Sequence, residues 1–94
     1  MAKPSKALPA QPEPRAPAQW RELIRDKGLR STGSRVAVLR ALDSADRPLS
    51  HAELVEKLAP EGFDRATVYR NLVVLAEVGL AHRRDLGDHV WRFE

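Results

Sequence analysis

The sequence predicts a mainly α domain that finishes in a small β-hairpin, behind a disordered N-terminal tail. Three observations predict it. Apolar residues recur at spacings of three and four from about Ala18 to Gly79, with stops at Gly28, Pro60 and Gly79. Beyond Gly79 the period shortens to two, the alternation of a half-buried strand. Residues 1–17 hold five of the seven prolines among Ala, Gln and Lys, a composition that buries too little apolar surface to offset ordering. The chain of 94 residues therefore divides into a tail, 1–17, and one domain, 18–94, with room for a single core.

Taken in order, the tail carries Lys3, Lys6 and Arg15 and reads as a solubilising leader. The first helix runs from about Ala18, with Trp20, Leu23 and Ile24 on one face, until Gly28 stops it. A second follows Thr32, an N-cap whose hydroxyl can accept from the free N–H groups of the first turn. It turns Val36, Leu39 and Leu42 inward, with Val38 flanking and Arg35 and Arg40 outward, and ends near Ala45. Arg30 and Arg35 bracket its N-terminus, where free N–H groups and the positive end of the dipole favour a phosphate. A phosphate clamp and two solvated arginines are equal readings of that pair.

After the short link Asp46-Arg47-Pro48-Leu49, Ser50 and Glu53 form a capping box that opens a third helix with Leu54, Val55 and Leu58 toward the core. Pro60 ends it, and Glu61-Gly62-Phe63 turns the chain, with Phe63 placed to plug the corner. The fourth helix spans Asp64 to Gly79, capped by the carboxylate at one end and closed by the glycine at the other. Val68, Leu72 and Leu75 form its inner stripe, and at 100° per residue Arg70 lies nearly opposite them. Its exposed side meets no acid before Glu77 and offers Arg65, Thr67, Tyr69, Arg70 and Asn71, side chains suited to phosphate and base edges. Two helices joined by a tight turn, the second capped, make a helix-turn-helix, whose second helix enters the major groove.

Leu80–Asp85 and His89–Glu94 read as strands around Leu86-Gly87-Asp88, with Trp91 and Phe93 on one face. A hairpin directly after a helix-turn-helix is a wing, so the fold expected is a winged helix-turn-helix. Leu49 can add a third strand, which matters because an isolated two-stranded hairpin is marginal in water. Arg83 and Arg84 stand near the wing, placed for phosphate or minor groove or else for a solvated strand face.

The chemistry excluded is as informative. With no cysteine there is no disulfide, thiol nucleophile or Cys-ligated zinc, which suits a cytoplasmic location. No stretch approaches the ~20 apolar residues of a membrane span, and the N-terminus lacks the apolar segment of a signal peptide. No phosphate loop, HExxH or serine with visible His and Asp partners occurs, so no enzyme is expected. His51, His82 and His89 are dispersed, which fits surface residues better than a complete metal site. The net charge of +3 is mild, but residues 18–47 carry seven Arg/Lys against four Asp/Glu, while residues 64–94 balance at five each.

With these elements placed, Gly28-Leu29-Arg30 through Thr32 and Arg35, then Leu49-Ser50 with Ala52-Glu53-Leu54, then Ala66-Thr67-Val68-Tyr69-Arg70 with Leu72 and Gly79-Leu80 resembles the DNA-binding half of the ferric uptake regulator family. The resemblance covers about residues 18–94, and Ala-Thr-Val-Tyr-Arg is its most specific run. It implies a bacterial transcriptional regulator, a repressor reading AT-rich duplex DNA, with Tyr69 and Arg70 at bases or nearby phosphates and Arg30 at the minor groove or backbone. Family members continue into a dimerisation domain rich in metal-binding histidines, whereas this sequence stops at Glu94. A zinc or iron ion and a homodimer are accordingly expected only with such a further domain. Pro48 stands where many members have a regulatory histidine, and Glu94 matches a family metal-binding glutamate as a single ligand. Val73 departs too, since the family often has a polar residue there; Val73 and Val74 form an apolar step beside Arg70, suited to thymine methyls or to a protein partner. A winged-helix protein-interaction module without DNA specificity is therefore the alternative function.

Overall fold

The computed structural model describes residues 15–88 and 90–94, so the expected tail over residues 1–14 and the role of His89 lie outside it. Four helices and a three-stranded sheet follow in the expected order: α1 (Pro17–Asp26), α2 (Gly33–Ser44), β1 (Leu49–Ser50), α3 (His51–Leu58), α4 (Arg65–Glu77), β2 (Arg83–Asp85) and β3 (Trp91–Phe93). The result is a winged helix. Helix α1 opens at Pro17, one residue before the expected start, because proline at the first helical position gives up only a donor that would be unpaired anyway. Arg15, set within the expected tail, lies 5.1 Å over the Trp20 ring.

The local signals act where the sequence places them. The Thr32 hydroxyl accepts from the Arg35 N–H at 3.2 Å, the Ser50 hydroxyl from the Glu53 N–H at 3.1 Å and Asp64 Oδ1 from the Thr67 N–H at 2.8 Å. Gly79 has φ +81°, and the bonds from Gly79 N–H to the Ala76 carbonyl and from Leu80 N–H to the Leu75 carbonyl end α4 in a Schellman turn. Pro60 ends α3 through one 3₁₀ turn, Ala59–Glu61.

Ile24, Val38, Leu54, Val68, Leu72 and Leu75 are fully buried at the centre, and Leu58 and Phe93 nearly so. One expectation is corrected here. Val38, expected at the flank, is fully buried, whereas Val36 is only partly so, because α2 is packed by α1, α3 and α4 together and its buried face widens to include Ala37, Val38 and Ala41.

The sheet has the order β1-β3-β2, all antiparallel, with Leu49 and Arg83 both opposite Phe93. Leu49 thus supplies the third strand. The wing strands are shorter than expected. Leu80 and Ala81 spend their N–H groups on the Leu75 carbonyl, so the ladder with β3 begins only at His82, which exchanges both backbone bonds with Glu94. Phe93 closes the core, while Trp91, two residues back on the same face, is half exposed. Among the described residues no helix is long and apolar enough to cross a membrane.

The capping box also sets an acid limit. Glu53 receives the Arg47 guanidinium at 2.9 Å and the Ser50 N–H at 2.9 Å, and Arg47 first, then Ser50, holds its carboxyl at about 2 against an ordinary 4.5. A pKa depressed in the folded state gives stability that is present above the unfolded value and lost as pH falls. Thermal unfolding followed against pH is expected to show a loss between about 4.5 and 2 that Glu53→Gln reduces. An unchanged acid limb in that variant would remove Glu53 as its source.

Candidate nucleic-acid interface

Helix α4 has two unlike sides. Val68, Leu72 and Leu75 fix it to the core, while Arg65, Tyr69 and Arg70 are exposed and Thr67 is half-buried. The Asp64 carboxylate is held below its ordinary range, by the Thr67 hydroxyl first and then by the Thr67 backbone N–H. Its charge is thereby committed to the helix N-terminus. Arg70 Nη2 reaches the Thr67 hydroxyl at 3.4 Å, a long contact, and no acid among the described residues pairs with Arg70.

The N-terminus of α2 stands beside this exposed side. Thr32, Ser34 and Arg35 share one groove with Thr67, Tyr69, Arg70, Val73 and Val74, so residues far apart in sequence form a common surface. Arg35 Nη1 donates to the Arg30 carbonyl at 3.0 Å, which ties the two arginines together, while Arg35 Nε is buried without a partner. Arg30, Arg35, Arg65 and Arg70 enter no ion pair among the described residues, whereas Arg15, Arg40, Arg47, Arg84 and Arg92 all do. Of these four cations without acidic partners, Arg35 and Arg70 line this groove.

Asn71 is corrected. It was expected on the exposed side, but it is only 6 % exposed, and its amide donates to the Ser34 hydroxyl at 2.9 Å and to the Thr67 carbonyl at 3.0 Å. The cause is the α2 hydroxyl: a buried amide must be satisfied, and Ser34 offers an acceptor inside the α2–α4 contact. Asn71 sets where α4 sits against α2 and offers no donor to a base edge.

A second groove runs between α4, the start of α3 and the wing, lined by His51, Arg65, Tyr69, Val73, Arg83 and Trp91 among others. His51 Nε2 donates to the Arg65 carbonyl at 3.0 Å, and its ring centre is 5.3 Å from that of Tyr69. Arg83 lies 4.4 Å over Trp91, at the rim of this groove. Arg84 does not face it freely, because its Nε is 2.6 Å from Glu94 Oε2 across the sheet. The sequence reading missed Ser34 and His51. Each sits at the start of a helix, where its only sequence signal is that of an ordinary first-turn residue.

A model of the ferric uptake regulator family matches residues 26–94. The chain belongs to the ferric uptake regulator family. It is 33 % identical over 73 residues to the peroxide-responsive repressor PerR of Staphylococcus aureus, covering 76 % of this chain and 49 % of that one. It thus spans about half the length of the curated relatives it matches. Among solved structures, the ferric uptake regulator of Pseudomonas aeruginosa with manganese superposes with a TM-score of 0.69 at 34 % identity, over 78 % of this chain and 57 % of that one. The Vibrio cholerae ferric uptake regulator, described for a rearrangement of its DNA-binding domains, gives 0.71 at 30 % identity, over 78 % and 58 %. These relatives are regulators or repressors by name.

No three His, Asp or Glu converge among the described residues, and the Glu94 carboxylate faces Arg84.

Proposed function

We propose that this chain is the duplex-DNA-binding part of a transcriptional regulator of the ferric uptake regulator family, acting as a repressor, with α4 in the major groove. The observation that carries the reading is the α2–α4 groove, where arginines without acidic partners surround Thr67 and Tyr69. Arg70 and Tyr69 meet base edges, and Arg30, Arg35 and Arg65 meet phosphate, Arg30 and Arg35 beside the free N–H groups that open α2. Arg83 meets the backbone from the wing. Arg84 is the weaker wing candidate, since it must first leave Glu94. The repressor named among the relatives and the DNA-binding domains of the Vibrio regulator support the same assignment.

Duplex affinity measured against salt tests it. If Arg30, Arg35, Arg65 and Arg83 each neutralise one phosphate, log K is expected to fall with log salt at a slope of about −3.6, from roughly 0.9 per phosphate. An affinity indifferent to salt, or no binding to any duplex, would favour the protein-interaction alternative instead.

A further inference from the structure

Val73 is apolar, partly exposed and absent from the group of half-buried residues that pack against the core. It stands on the outermost line of α4. With Val68, Asn71, Leu72 and Leu75 buried, rotation by 100° per residue puts Ala66, Arg70, Val73 and Glu77 on the opposite side, in that order along the axis. Tyr69 and Val73, one turn apart, line both grooves and so form the ridge between them. Glu77 repels phosphate, which makes Val73 the last outward side chain before the helix becomes unsuited to DNA.

A major groove offers donors and acceptors at every base pair, but only one apolar group, the 5-methyl of thymine. Resting on the DNA reading above, we propose that Val73 is a specificity-determining residue that contacts a thymine 5-methyl group, its backbone set about 4.5 Å along the helix axis from that of Arg70. The contact removes a methyl from water on each side and asks for no hydrogen bond. A polar side chain at 73 would seek a base donor or acceptor instead, so valine there selects for thymine by its lack of one.

Alternating duplexes of dA with dT and of dA with dU differ only in the 5-methyl group, which makes them the probes. The chain is expected to bind the dT duplex about fourfold more tightly for each methyl contacted, the change that goes with burying one methyl-sized group. Val73→Ala should bring the ratio close to one through a loss on the dT duplex alone, and Val73→Ile should preserve it. Circular dichroism confirms that both variants fold. Equal, salt-dependent binding of both duplexes by the parent would overturn the inference while leaving the DNA reading intact. A full ratio retained in Val73→Ala would overturn it as well, and would assign the methyl contact to Tyr69. Failure to bind either duplex at any salt would remove the DNA reading and this inference together, leaving Val73 and Val74 as a step for a protein partner.

Discussion

Leu72→Ala is expected to lower the unfolding free energy by about 2–5 kcal/mol, the cost of truncating a fully buried leucine. Leu72 is completely buried at the middle of the helix, between Val68 and Leu75, and α4 packs on both α2 and α3. Truncation removes its transfer free energy and leaves a cavity that the surrounding helices close only partly. A domain this small has a total stability near the low end of about 5–15 kcal/mol, so a loss of that size would leave the variant close to unfolding at room temperature. Urea denaturation reads the effect directly, and an unchanged midpoint would mean that α4 is not docked through this face. Any fall in ligand binding by this variant reports unfolding, which makes it the control for the next one.

Arg70→Ala is expected to do the reverse, leaving stability within about 0.5 kcal/mol, as is usual for an exposed position, while damaging DNA binding. The structure sharpens that expectation: Arg70 holds no ion pair among the described residues, so its removal strands no buried charge and frees no carboxylate. If its guanidinium forks onto a guanine, the loss is about 1–3 kcal/mol and sequence preference relaxes. If it meets phosphate alone, all duplexes weaken together and the salt slope becomes shallower by about one. A folded variant that binds every duplex as well as the parent would remove α4 as the reading helix.

Features set by neighbours along the chain were readable from the amino acids. Thr32, Ser50 and Asp64 cap the helices they precede, and Gly79 closes α4, because each acts within a few residues of itself. Features set by distant partners were not. Asn71 lies at the edge of the α4 core stripe, and whether it turns in or out depends on a hydroxyl 37 residues away. Nothing in the periodicity of α4 records Ser34. The same holds for Val38, whose burial follows from three helices converging on α2, and for Arg84, whose place in the wing is decided by Glu94 on the neighbouring part of the sheet. Arg65, Tyr69 and Arg70 stand on the expected side because a helix wheel suffices to place them opposite Val68 and Leu72.

The most direct measurement follows the backbone amides of the isotopically labelled chain by NMR while a short DNA duplex is added. The account predicts that the largest shifts fall on Thr67 to Val73 of α4 and on Thr32 to Arg35 at the start of α2, the two segments that share one groove. Shifts confined to α1 or to the outer face of α3, with those two segments unmoved at saturating duplex, would contradict it.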